Sequence, residues 1–327
     1  VVLFGLSPLA GSDLLLHPTI GRWIWAHGGV PRTDPFSYLT EGQPCIAHSR
    51  LAEVAFYLID QTAGTAGFMR LRFGLISLAL TAALRTARLL KAPWSALVLL
   101  APLALGLMWG RLEFRPQLFT SAFLAVELWL IVSVHTGRRS WHLLWALPPI
   151  YVLWINLHAG WVQGAVLLGT VTGALVLMEA RQRWLGRGAA GHLPPWAVAL
   201  VLGACLLALF INPYGARLIS LSVEMQASWV RALTPEWQSP RSSAAWRPVS
   251  VGAFVDMRPF FFGYAVLLAG ALYVSGRRWR TVDLVPLALM ALWLALSPWH
   301  VRAVSDAVLL TAPLVAASLP SEWRARP

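Results

Sequence analysis

Residues 195–211 read PWAVALVLGACLLALFI, seventeen positions without one charged side chain. A helix of about that length is enough to cross a hydrocarbon core roughly 30 Å thick. Similar runs recur from position 68 to the end of the 327-residue chain. They are continuously apolar rather than alternating, which predicts helices rather than the strands of a barrel. Composition agrees: 57% of the residues are hydrophobic and 12% are charged, whereas soluble domains carry about 25% charged residues. A soluble fold of this size has no interior large enough for that apolar surface. The expected architecture is an all-α, polytopic bundle of about ten transmembrane helices, forming one integral membrane domain over 1–327.

The expected spans are 1–10, 68–84, 93–109, 117–135, 142–157, 161–178, 195–211, 260–276, 282–298 and 303–319. The chain opens on Val1, and only a short apolar stretch precedes Asp13. This reads as the end of a truncated first helix rather than a cleaved signal peptide, since no basic start or small-residue cleavage site is visible. The connections fall into two alternating sets. One is short and almost purely basic: Arg85, Arg88, Lys91; Arg138, Arg139; Arg181, Arg183, Arg187; Arg277, Arg278, Arg280; Arg324, Arg326. The other comprises 11–67, 110–116, 157–160, 212–259 and 299–302, and mixes signs. The positive-inside rule puts the basic set in the cytoplasm and the long loops 11–67 and 212–259 outside.

The net charge of +12 is explained by those clusters, so nucleic acid is not an expected partner. The eighteen Trp suit interfacial belts. Cys45 lies in a polar loop and Cys205 in an apolar run, which predicts neither a disulfide nor a cysteine metal site. In 51–61 the apolar residues Leu51, Val54, Ala55 and Leu58 share a helical face, with Glu53 and Asp60 elsewhere, as in a helix lying on the membrane surface. Segment 20–28 reads as a second short amphipathic helix, closed by Gly28-Gly29. The stretch 234–250 reads as irregular. No internal repeat, nucleotide-binding glycine loop or metal-ligand spacing is present.

The unusual polar residues gather in the mixed-sign connections. Asp13 and His17, four apart, share a helical face and suit either proton transfer or capping. Asp34, before Pro35, is a turn former as well as a candidate acid. His48 lies in the same loop. Arg111 and Arg115 suit a lipid-linked phosphate or a lipid headgroup, because the guanidinium fork matches phosphate oxygens. His158 reads as a ligand, a base or a satisfied interfacial histidine. Asn212-Pro213-Tyr214-Gly215 reads as a helix stop. Glu236, His300 and Arg302 complete the set. Glu127 lies inside a span and calls for a partner within the bundle. Distant segments that converge on one membrane face point to a single site there.

The first loop, from Asp13 and His17 through Gly21-Arg22-Trp23-Ile24 and Thr33-Asp34-Pro35-Phe36-Ser37 to His48, Leu51 and Glu53, resembles a group of bacterial multi-span proteins related to the GT-C-type membrane glycosyltransferases. Arg115-Pro116-Gln117-Leu118, Asn156-Leu157-His158, Asn212-Pro213-Tyr214-Gly215 and Glu236-Trp237-Gln238-Ser239-Pro240 are similar to that group in order and spacing. The resemblance implies a GT-C-like fold in a bacterial inner membrane and transfer of a sugar from a polyprenyl-phosphate donor at the outer face. It implies that Asp13 is a general base toward the acceptor, and that Arg111 or Arg115 neutralises the leaving lipid phosphate. In some relatives the acid belongs to a metal site, so a divalent metal is a candidate cofactor.

The chain departs from that pattern. Gly11 stands at a first Asp, Leu15-Leu16 at a Trp pair, and His48-Ser49-Arg50-Leu51 where His-Glu-Trp-Leu is usual. The lost carboxylates favour an alternative: a non-catalytic membrane scaffold that binds lipids and other membrane proteins. A transporter or flippase ranks last, because it calls for polar groups at mid-membrane depth, where only Glu127 is evident, and for repeated halves.

Overall fold

The computed structural model describes residues 13–108, 114–186, 191–227, 258–277, 282–297 and 301–318. Their regular structure is helical, with two isolated bridges, Thr33 with Pro44 and Asp34 with Glu41, in the first loop. The helices are α1 (Asp13–His27), α2 (Arg50–Leu89), α3 (Trp94–Met108), α4 (Gln117–His135), α5 (Leu147–Leu157), α6 (Trp161–Trp184), α7 (Pro195–Ala208), α8 (Ala216–Ala227), α9 (Arg258–Gly276), α10 (Leu284–Leu296) and α11 (Val301–Ser318).

Among the described residues, four helices are long and apolar enough to cross a membrane: α2, α4, α6 and α9. The shorter apolar helices at Trp94–Leu107, Pro195–Ala208 and Leu284–Leu296 reach only about 20 Å at 1.5 Å per residue. The expected spans 93–109, 195–211 and 282–298 are therefore longer than their helices. Span 142–157 is also divided. A 3-10 segment, Trp141–Ala146, precedes α5, which begins with prolines in its first turn, where the missing amide hydrogens cost nothing. The expected span 1–10 and the loop 234–250 lie outside the described residues.

α2 is two limbs. Gly64 breaks it with φ 52° and ψ −145°, backbone angles that only glycine adopts without strain. The rings of Phe56 and Phe68 lie 6.1 Å apart, whereas twelve residues of unbroken helix would part them by about 18 Å. The first limb therefore folds back over the second. It is helical, as expected for 51–61, and its buried face is Ala52, Glu53 and Phe56, while Leu51 and Leu58 are exposed. Glu53 points in between Ala52 and Phe56, while Asp60 is exposed with Leu51 and Leu58.

Across the bundle, apolar side chains also face outward, around an apolar core that encloses some polar groups. Val98, Leu177, Leu207 and Val266 are each more than 60% exposed, while Arg72, Thr120, Glu127, Asp306 and Thr311 are buried. Apolar flanks around buried polar groups are what a lipid solvent selects. α4 is the central helix and packs against α2, α5, α6 and α11. Its Glu127 is fully buried and accepts a hydrogen bond from Tyr151 of α5 at 3.1 Å.

The connections sort to two ends. At one, Arg85 stacks over Trp129, His135 pairs with Asp283, and Trp141 meets Trp196. These contacts join the basic connections of α2, α4, α7 and α10. At the other, Arg50 bonds to Asn156, Thr120 to His158, and Ser305 to the Leu107 carbonyl. This polar end gathers the mixed-sign connections.

Candidate functional site

The polar end is organised by the seam between α1 and α2. A Cβ on Gly21 would overlap the carbonyl oxygen of Glu53, so at this point α1 lies directly on the backbone of α2. One turn earlier on the same face stands His17. Its Nδ1 lies 3.5 Å from Glu53 Oε1, and the side chains are 12% and 2% exposed. That is ion-pair distance rather than hydrogen-bond geometry. Neither His17 Nδ1 nor Glu53 Oε2 has a hydrogen-bond partner among the described residues. The His17 ring meets Phe56 edge-on, and Phe56 lies against Phe114 at a 42° tilt with centroids 4.6 Å apart. Arg115 follows Phe114 in the chain. A desolvated carboxylate beside a partly open imidazole is an arrangement suited to moving a proton and compensating the charge that results.

Three residues before Glu53, Arg50 carries the site across to α5. Its Nε donates to Asn156 Oδ1 at 3.0 Å. The Asn156 amide in turn donates to the carbonyls of Val152 and Ile211 at 2.7 and 2.9 Å. Tyr214 closes the loop above: its hydroxyl donates to the Pro31 carbonyl and accepts from the Ala47 amide, each at 3.0 Å. The 212–215 stop therefore also fastens the loop between α1 and α2 to the end of α7. Thr120 joins the set from α4. Its hydroxyl accepts from Trp154 Nε1 at 2.9 Å and lies 2.8 Å from His158 Nδ1. The Gly160 amide donates to that same nitrogen at 3.1 Å. An amide can only donate, so Nδ1 is an acceptor and the neutral ring carries its proton on Nε2.

Asp34 sits in a loop that it stabilises. Its Oδ1 accepts from the Phe36 amide at 2.8 Å and its Oδ2 from the Thr40 hydroxyl at 2.5 Å. The Thr40 bond first, then the Phe36 amide, hold its carboxyl below the usual carboxylate range. A folded value below the unfolded one stabilises the loop above the unfolded value, and that contribution is lost as pH falls through the folded value. The protection factor of the Phe36 amide in hydrogen exchange is thus expected to drop on acidification below pH about 4. Asp34→Asn should remove that pH step, and an unchanged step in the variant would contradict the assignment. Cys45, in the same loop, is a free thiol pushed up by burial, with the charges of Asp34 and Glu53 adding to it. It is no thiolate nucleophile at neutral pH.

Of the sequence candidates, His17 and His158 take part in this end of the bundle. Asp34 is engaged within its own loop. His48 and Arg115 are partly buried, each with a partner. Asp13 starts α1 and Arg302 lies in α11, but their side chains lie outside the described set, as do Arg111, Glu236 and His300. Three buried charged residues were not among these candidates. Glu53 is the buried acid of the site. Asp306 is fully buried and accepts from Gln163 at 2.9 Å, and an acid in the apolar run 303–319 was its signal. Arg72, also buried, was legible in the same way within 68–84. No three His, Cys, Asp or Glu side chains among the described residues approach closely enough to hold a metal ion. Compared with known proteins, the chain matches no family model, no curated protein and no solved structure.

Proposed function

We propose that this chain is a membrane glycosyltransferase of the GT-C type, which moves a sugar from a polyprenyl-phosphate donor at the polar end of its bundle, facing the outside of a bacterial inner membrane. The bundle crosses the membrane about ten times, with short helices continued by their connections. The observation that carries the reading is the convergence of α1, α2, α4, α5 and the 212–215 turn on one polar end, with a buried carboxylate–imidazole pair at the α1–α2 seam. Asp13, one turn before His17, meets the acceptor hydroxyl. His17, backed by Glu53, takes the proton onward. Arg115, with Arg111, neutralises the departing lipid phosphate, as an always-charged guanidinium is suited to do.

The test is transfer by the full chain in liposomes with a panel of polyprenyl-phosphate sugars. Measurable transfer that Asp13→Asn abolishes is the expected result. Transfer unchanged in Asp13→Asn would remove that residue from the chemistry. No transfer from any donor would favour the scaffold reading. The specific observation on that side is that Arg50 Nε is bound to Asn156 and both Asp34 oxygens are hydrogen-bonded within their own loop, roles that hold structure together.

A further inference from the structure

The basic end carries a surface that the proposed chemistry does not use. α4 finishes there with the amides of Arg138 and Arg139 both donating to the Ser133 carbonyl, at 3.0 and 3.1 Å. Gly137 takes the left-handed position of this helix end, with φ 71°. It is also covered: a Cβ there would stand 2.6 Å from the His192 ring. The connection before α7 is thus seated on the end of α4. Next to it, Trp141 meets Trp196 edge-on with centroids 5.2 Å apart. Trp141 also stacks on His142, at 4.1 Å, whose Nδ1 lies 2.8 Å from the Ser140 hydroxyl.

These contacts fix a patch in which Arg138, Arg139, His142 and His192 are exposed beside Trp145 and Trp196, 42% and 59% exposed. The carboxylates described at this end are engaged elsewhere. Asp283 pairs with His135 and caps the Val285 amide, and Glu179 pairs with Arg183. Among the described residues, no acid neutralises the two arginines.

We propose that this patch binds the headgroup of an anionic phospholipid. Two guanidinium forks on adjacent residues match phosphate oxygens. Exposed indoles sit naturally at headgroup depth, and basic pockets between membrane helices select anionic lipids. A zwitterionic headgroup brings its own cation toward the arginines and loses that advantage. A pure topology signal needs only the two charges. It does not need His192 seated on Gly137 or the paired indoles. The inference rests on membrane insertion and is independent of sugar transfer.

The test is native mass spectrometry of the delipidated full chain, titrated with phosphatidylglycerol or with phosphatidylcholine of the same acyl chains. Phosphatidylglycerol is expected to be retained roughly thirtyfold better, the factor that two surface cations contribute. Arg138→Gln with Arg139→Gln should bring it down to the phosphatidylcholine level. Trp196→Ala leaves every charge and topology signal in place, and it should also weaken phosphatidylglycerol retention. Equal retention of the two lipids by the unaltered chain would overturn the proposal. So would retention indifferent to both variants, or inorganic phosphate alone binding as tightly as the lipid.

Discussion

Exchanging Glu53 for Gln is expected to lower sugar transfer by about 10²–10⁴-fold, the range that a positioned acid–base group contributes. Gln has nearly the same shape, so the α1–α2 seam should hold and the thermal midpoint should move little. What is lost is the negative charge 3.5 Å from His17 Nδ1, and with it the compensation for a proton on the ring. His17→Ala should cost a similar factor. The double variant should be little worse than either single one, because groups that act as a unit are far from additive. The measurement is turnover of a polyprenyl-phosphate sugar in liposomes, with the Trp emission melt as the folding control. Full turnover in Glu53→Gln would leave Asp13 acting without the pair.

Gly21→Ala is the second large effect. Its Cβ would overlap a backbone carbonyl oxygen of α2, which cannot swing aside as a flexible side chain does. α1 has to lift off its neighbour. Overpacking of this kind costs about 1–3 kcal/mol, and it moves His17 away from Glu53 at the same time. Gly21→Ala should therefore lower both the thermal midpoint and transfer. Gly29→Ala, where the nearest atom is 4.0 Å away, should change neither. If the two variants behaved alike, the seam would not be the close contact described here.

The helices were legible because apolar length is a strong signal. The stretch 117–135 is α4 to the residue. Elsewhere the reading went astray. In 51–61 the face bearing Leu51 and Leu58 was recognised, but Glu53 was set aside from the site. The buried face mixes Ala52 and Phe56 with Glu53 while Asp60 stays exposed, so the apolar stripe alone does not tell which acid belongs to the interior. α1 begins at Asp13, well before the expected 20–28 helix. The Gly64 bend was hidden among the small residues 62–67, where nothing in the pattern separates a turn from a helix. The basic connections were read as topology signals alone, yet His135 and Asp283 meet there at 2.5 Å. Pairings between residues 148 positions apart leave no local trace.

Glu127 has a consequence for how the protein is made. In the finished bundle its carboxyl is met by Tyr151, twenty-four residues downstream. A nascent chain threaded into the bilayer one helix at a time would expose that carboxyl to acyl chains without its partner, and an unpaired ionisable group there is costly. Its partner lies on the very next helix to be synthesised. Releasing α4 and α5 together as a hairpin would let Tyr151 meet the carboxyl before α4 faces lipid.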